Sequence, residues 1–458
     1  MTMAFRRRRD VTKYPARTRT GSTDVATEAY TPDADAIVVG AGPTGAAAAH
    51  YLAAAGLEVL LLEKATFPRD KICGDGLTPR AVSELVRMGV PTPAEDGWMR
   101  NKGLRVHGGG HVIELPWPEI QRYPNFGMAK ARGSLDMTLA HHARATGAKL
   151  MEGMSVTGPV LHERTGRVVG VRVRQVDERG KRLPDVAEQT LHAPVVVAAD
   201  GVSSRLATQM GLTKRDDRPM GVAVRTYFRT PRHDDEFMES HLELWEGEPN
   251  ASPLLPGYGW IFPLGDGTAN VGLGSVSSTG RATKLDYRSL FDTWMRNSPQ
   301  EWEFTKENQI GQVRGAALPM SFNRSPMYYR GMMLLGDAAG MVSPFNGEGI
   351  AYGLQAGRVA ADVIAQAHVR TNDLARERTL ATYADRMRED LGGYFNLGRT
   401  FVSLIERPEV MRICTKYGLP RPLLMQIVLK LLSDSYDTRG GDAIDRVITA
   451  MTRVVRAA

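Results

Sequence analysis

The stretch from Ala36 to Leu77 leaves a chain like this few choices of fold. It opens with a short apolar run, Ala36-Ile37-Val38-Val39, which reads as a buried parallel strand. Gly40-Ala41-Gly42-Pro43-Thr44-Gly45 follows, then an alanine-rich segment to Ala55 with good helix propensity. A second apolar run, Val59-Leu60-Leu61-Leu62, ends at Glu63 and Lys64. Strand, glycine turn, helix, strand and acid, in that order, predict a dinucleotide-binding unit. Gly40 permits the tight turn, Gly42 lets a pyrophosphate approach the backbone, and Gly45 lets helix and strand pack closely. The helix N-terminus at Pro43 and Thr44 offers unpaired N–H groups to that pyrophosphate. Glu63 falls 18 residues past Gly45, where a carboxylate can accept the hydroxyls of an adenosine ribose.

With 458 residues the chain has room for two or three domains, and 42% hydrophobic with 24% charged residues is the composition of a soluble globular protein. No run of apolar residues is long enough to predict a membrane-spanning helix. Two cysteines, Cys73 and Cys414, are too few for a disulfide framework and suit a reducing cytoplasm. The net charge is +7, and residues 1–32 carry seven basic side chains against three acidic ones. That segment reads as a disordered basic tail. No apolar core follows its arginines, so it is not a secretory signal, and no fold signal supports nucleic-acid binding. It is a solvated tail or one attracted to anionic lipid. No metal site is expected.

Further along, Phe67 to Gly76 is rich in glycine and charge and reads as a loop, which argues against a packing role for Cys73. Thr78 caps a helix with Pro79 in its first turn. Leu104-Arg105-Val106-His107 and His111 to Leu115 read as strands of a second layer. Ser134 is an N-cap candidate for a helix from Met137 to Thr146, with Arg132 just ahead. Val168–Val173 and Thr190–Ala193 suggest a hairpin, and Val195–Ala199 a buried strand ending at Asp200-Gly201. Between Met220 and Met320 the alternating pattern predicts a twisted sheet inserted into the dinucleotide fold. Within it, Tyr258, Trp260 and Phe262 share one strand face, and Pro256 and Pro263 favour an edge position. Such a face is either an aromatic core stripe or a π-rich pocket wall. Met332–Leu335 returns to the first sheet and ends at Gly336-Asp337, and Pro344 to Gly349 opens a helix that runs to about Val369. The rest is helical. Pro422 to Leu432 is apolar almost all round yet too short to span a bilayer, so it packs on the protein or lies against a membrane.

Three separated patterns coincide: Gly40 to Gly45 with Glu63; Asp200-Gly201; and Gly336-Asp337 with Pro344 and Gly347-Glu348-Gly349. Together they resemble the FAD-dependent oxidoreductases of the glutathione-reductase-2 type. Phe67-Pro68-Arg69-Asp70-Lys71 with Cys73-Gly74-Asp75-Gly76, and Pro256, Tyr258, Trp260, Phe262 and Pro263 ahead of Val271-Gly272-Leu273-Gly274, are similar to the geranylgeranyl reductase family. Within it, Cys73 to Val82 and Pro256 to Gly265 look most like bacterial members that saturate one isoprene unit of the menaquinone tail. The similarity covers roughly residues 34 to 436.

The resemblance implies an α/β fold in which a Rossmann-like FAD domain carries an inserted antiparallel β-sheet substrate domain and a helical C-terminal region. The expected boundaries are 33–102, 131–219 and 326–370 for the FAD domain, 103–130 and 220–325 for the substrate sheet, and 371–458 for the helices. It also implies that Gly336 and Asp337 bind the ribityl and pyrophosphate region, with Arg132 nearby. Gly347, Glu348 and Gly349, ahead of Ile350, would bring N–H groups and a helix N-terminus to the flavin N1–C2 edge. Asp200 is either an FAD contact or a structural cap.

An isolated trisubstituted alkene accepts hydride poorly, so a general acid must protonate the other carbon. Cys73 is the acid the family implies, and thiols are mostly protonated at neutral pH. Its neighbours Arg69 and Lys71 oppose that role by favouring the thiolate. Tyr258 and Trp260 would stabilise transient positive charge, and Phe262 and Pro263 would contact substrate. The implied substrate is a polyprenyl lipid, menaquinone first, with a prenyl diphosphate or glycerolipid as alternatives. A flavin monooxygenase and a non-catalytic flavin-bearing lipid or electron carrier are rival readings. No second glycine fingerprint follows a strand, so the reductant would be transiently docked NAD(P)H or a reduced carrier protein. The expected location is the cytoplasm, peripherally on the inner face of the cell membrane.

Overall fold

The computed structural model of the chain describes residues 31–278 and 285–456. Almost all of the basic tail therefore lies outside the described residues. The first sheet has six strands in the order Tyr328–Tyr329, Met332–Leu334, Val195–Ala198, Ala36–Val39, Val59–Leu62 and Lys149–Met151. All pair in parallel except the two-residue edge strand Tyr328–Tyr329. Ala36 sits opposite Val195 on one side and Val59 on the other. Every residue of these three central strands is buried, as unbroken apolar runs in a doubly covered sheet require.

Helix Pro43–Ala54 packs against Arg132–Thr146 and Ile350–His368. Small residues and two glycines let it come this close. A Cβ on Gly45 would stand 1.8 Å from the Gly40 carbonyl oxygen, and one on Gly357 would stand 2.7 Å from the Ala48 nitrogen. Thr78 caps helix Pro79–Met88 through its side chain. Helix Arg132–Thr146 begins earlier than its sequence suggests. Ser134 is not its cap: its Oγ donates to the Ala131 carbonyl, one turn inside. The Arg132 N–H is instead accepted by Asp75 Oδ1 at 3.1 Å, from a segment 57 residues away. No local pattern can announce a cap supplied from that distance.

The second sheet has seven strands in the order Gln309–Pro319, Met220–Arg229, Thr268–Ser277, Gly257–Pro263, Phe237–His241, Gly103–Gly108 and His111–Pro116. Only Phe237–His241 and Gly103–Gly108 run parallel. Helix Tyr287–Arg296 covers one face over Val224, Ile261, Val271 and Leu273. The aromatic strand Gly257–Pro263 is interior, not an edge, with partners on both sides. Its prolines do not interrupt the ladder: Pro263 ends the strand, and Pro256 lies just before it and offers only a carbonyl, to Val276 N–H. Gly127–Ala129 joins a separate three-stranded sheet with Gly76–Leu77 and Met99–Asn101. Met154–Leu161, Val168–Gln175 and Gln189–His192 form another. The chain ends in helices Asp373–Ile405, Pro408–Ile413, Pro422–Leu432 and Ala443–Arg456, with a π-helical turn at Cys414–Gly418.

Two glycine substitutions separate close packing from simple helix propensity. Gly357→Val should lower the unfolding free energy by about 1–3 kcal/mol through overpacking. Gly392→Ala, whose nearest neighbour is Arg388 Cβ at 4.0 Å, should raise it by about 0.5–1 kcal/mol. Chemical denaturation curves measure both.

Candidate functional site

Between the two sheets and the C-terminal helices lies a cavity of about 870 Å³, near the upper end for a small-molecule site. One end is the glycine turn. Gly40 has φ +98°, and a Cβ there would strike the Ala199 carbonyl oxygen at 2.5 Å. Gly42, Pro43, Thr44, Glu63 and Lys64 line this end. Glu63 is buried, and its Oε2 accepts from Ala41 N–H (3.1 Å) and Arg69 Nη2 (3.0 Å). Its Oε1 accepts from Ala65 N–H at 3.1 Å. Arg69 also donates to Asp136 at 2.8 Å, and Arg132 clamps the same carboxylate at 2.7 and 2.9 Å. Burial disfavours the charge of Arg132, but Asp136 outweighs it and holds the guanidinium well above its ordinary range.

Asp200, Asp337, Gly347, Glu348, Gly349 and Ile350 line the cavity as well. Asp200 Oδ2 caps the next turn by accepting from Arg205 N–H at 2.9 Å, while its Oδ1 is buried and unpartnered. Burial raises the pKa of Asp200. Three expected site residues do not line the cavity. Gly45 lies against the Gly40 backbone, and Gly336 (φ +57°) lets the turn before Asp337 press on Thr44 Oγ1. Strand alternation turns Pro263 to the opposite face from Phe262.

In the middle of the cavity, Tyr258, Trp260 and Phe262 stand in a row, with ring centroids 6.0 and 6.1 Å apart. Glycines make room for them: a Cβ on Gly272 would meet the Trp260 ring at 2.2 Å, and one on Gly74 would meet Phe262 at 3.1 Å. The Tyr258 hydroxyl donates to the Asn346 carbonyl at 2.6 Å. Cys73 is half-buried beside them, and the Arg132 guanidinium faces its sulfur. Asn270 ties loop to strand: it accepts from Trp260 Nε1 (2.8 Å) and donates to the Cys73 carbonyl (2.9 Å) and Asp75 Oδ2 (2.7 Å). Burial pushes Asp75 up to about 6 against these hydrogen bonds and two arginines. Burial likewise pushes Glu348 up to about 7, although Thr78 Oγ1 donates to its Oε1 at 2.8 Å.

The far end is apolar. Val106, Leu115 and Met238 of the seven-stranded sheet, with Trp117 just past its edge strand, face Leu419, Met425 and Leu429 of the C-terminal segment. Sequence reading missed Arg69 and Asp136 at the nucleotide end and Asn270 in the middle. The available signals were the helical Arg132/Asp136 spacing and an asparagine inside the apolar run Ala269–Leu273.

The FAD binding domain model matches residues 33–390, and the chain belongs to that family of flavoproteins. Menaquinone reductase of Mycobacterium tuberculosis H37Rv is 37% identical over 414 residues, 90% of this chain and 94% of its own length. Digeranylgeranylglycerophospholipid reductase 2 of Methanopyrus kandleri is 31% identical over 365 residues, 79% of this chain and 84% of its own. The crystal structure of a geranylgeranyl bacteriochlorophyll reductase-like protein from Thermoplasma acidophilum has the same fold, with TM-score 0.68 at 23% identity over 88% of this chain and 98% of its own. These relatives put the chain in the geranylgeranyl reductase branch of the family. The residues present suit FAD: Arg69 Nε and Asp200 Oδ1 are buried without a partner, and Gly42 leaves its approach open, with no atom nearer than 3.8 Å to a Cβ built there. Glu63→Gln, which removes charge but keeps the Arg69–Asp136 pair, should weaken FAD binding about tenfold, read from released-flavin fluorescence.

Proposed function

We propose that this flavoprotein saturates one isoprene C=C bond of a menaquinone side chain. The observation that carries the reading is a single cavity joining the glycine turn, the aromatic row with Cys73, and an apolar end walled by the C-terminal helices. The similarity to menaquinone reductase supports the choice of substrate. On this reading Gly40, Gly42, Pro43, Thr44, Glu63, Lys64, Arg132, Asp200 and Asp337 hold FAD, and the turn from Gly347 to Ile350 presents N–H groups to its ring edge.

A reduced flavin supplies the hydride. The chain supplies everything else. Tyr258, Trp260 and Phe262 exclude water and hold the polyprenyl chain against their faces. Their π surfaces favour developing positive charge on the alkene by about 1–2 kcal/mol once desolvated. Asn270 fixes the Cys73 loop to this wall, and Cys73 shapes the path by which a proton reaches the alkene. Trp260→Ala should slow tail saturation about 5- to 30-fold, and Cys73→Ala should also slow it. Mass spectrometry of quinones from cells lacking or overexpressing the chain tests the whole reading through a two-hydrogen shift. A shift in prenylated glycerolipids instead would favour the activity named for the Methanopyrus relative. Oxygen uptake coupled to substrate would mark a monooxygenase.

The lipid reaches the site from a membrane surface. No helix among the described residues is long and apolar enough to cross a bilayer. Ile413, Tyr417, Leu423 and Leu424 are nevertheless exposed beside the apolar end of the cavity, interleaved with exposed Arg412, Lys416 and Arg421. Each basic residue near an anionic surface adds roughly 1 kcal/mol of attraction. Ile413→Glu with Leu423→Glu should abolish co-sedimentation with phosphatidylglycerol vesicles and leave FAD content unchanged.

A further inference from the structure

We propose that Glu348 is the proton donor for this reaction, and the assignment rests on the reductase reading above. Several acids stand in the cavity wall or just behind it, and their partners tell them apart. Asp75 has both oxygens engaged, Oδ1 by the Arg132 N–H and Oδ2 by Asn270. Asp136, behind Arg132 and Arg69, is held by both guanidinium groups. Asp200 keeps one oxygen free, but it sits at the nucleotide end beside Gly40. Glu348 lines the cavity in the part that also holds Tyr258 and Cys73, and Glu348 and Cys73 both act electrostatically on Tyr258. Its Oε1 is fixed by Thr78, and its Oε2 is shut from solvent with no hydrogen-bond partner. One oxygen is therefore anchored and the other is free to carry a proton.

The surroundings hold that proton at neutral pH. Removal from water raises the carboxyl to about 7, and Asp434 pushes the same way. Thr78, Asn346 and Arg80 pull down, but Arg80 is itself paired with Asp434 and bonded to Gln355. Tyr258 and Tyr352 are the remaining titratable groups that face it, both raised by burial and uncharged across the working range. An acid whose pKa lies near the working pH is both protonated and willing to give its proton up. Cys73 is differently placed, facing the Arg132 guanidinium on a loop held by Asn270.

The step balances. Hydride and its electron pair pass from reduced flavin to one alkene carbon, and the π pair forms a bond to the Glu348 proton at the other carbon. The alkene is reduced to CH–CH, and the flavin is oxidised by two electrons and re-reduced by a nicotinamide or a reduced carrier protein. Glu348 is left as carboxylate and regains a proton from water. Because the folded pKa is raised, the competent form is present below about pH 7 and is lost above it.

The test uses the full chain with and without flavin. Infrared titration of the flavin-free protein should show a protonated carboxyl band that disappears with a midpoint near pH 7 and is missing from Glu348→Gln. With FAD bound, Glu348→Gln should keep its flavin and the flavin's reduction by dithionite, yet saturate prenyl tails about 100-fold or more slowly. Glu348→Asp should recover part of that loss. Wild-type turnover should fall about tenfold per pH unit above the midpoint, and Thr78→Val, which removes the donor that steadies the carboxylate, should move that limb to higher pH. An active wild type with an equally active Glu348→Gln of unchanged pH profile would overturn the assignment alone, as would a wild type without the band. A wild type that leaves every tail unsaturated would overturn the reductase reading and the assignment with it.

Discussion

Asp75 and Asn270 form the contact on which the geometry of the cavity depends. Asp75 accepts the first N–H of helix Arg132–Thr146, which flanks the parallel sheet, and also a hydrogen bond from Asn270, which belongs to the seven-stranded sheet. Asn270 in turn accepts from Trp260. A helix start, a glycine-rich loop and an aromatic strand are thereby fixed to one another through two side chains. Each of these bonds is buried or partly buried, where an unmade one costs about 1–3 kcal/mol, so the arrangement has little freedom to slip. Asp75 itself sits at φ +65°, a backbone conformation kept because both of its oxygens are used there.

Two carboxyl groups in and behind the cavity wall meet different partners. Asp136 lies between two guanidinium groups and positions Arg132 and Arg69. Glu348 has one hydroxyl donor and an arginine already committed to another acid, so burial dominates. Arginine is suited to the first task because its planar fork satisfies a carboxylate from two directions and never loses its charge.

Much of this was legible in the sequence wherever cause and effect lie close along the chain. The strand–glycine–helix unit from Ala36 to Leu62, the Thr78 cap, and the shared face of Tyr258, Trp260 and Phe262 all follow from local spacing. Gly272 was visible too, although the reason for it, the Trp260 ring above, was not. What escaped notice acts over long separations: Asp75 capping a helix 57 residues on, Arg69 joining Glu63 to Asp136, and Thr78 fixing Glu348 across 270 residues. Pro256 and Pro263 misled for a different reason. Proline excludes a strand from the middle of a sheet only where its missing N–H falls inside the ladder, and here both stand at the strand's ends.

Helix Pro422–Leu432 shows why all-round hydrophobicity need not mean a buried core element. Met425 and Leu429 pack on the seven-stranded sheet, while Leu423 remains 65% exposed. Lys430 settles how the helix sits: it is buried, raised in pKa by the Asp442 and Asp445 carboxylates against the cost of burial, and bonded to them at 2.7 and 2.8 Å. Its only cation is thus turned inward and neutralised, so the outer face presents hydrocarbon while the flanking Arg421 and Lys416 carry the charge. A helix anchored by an internal ion pair thus lines the cavity through Leu424, Met425, Val428 and Leu429 while Leu423 and Gln426 stay exposed.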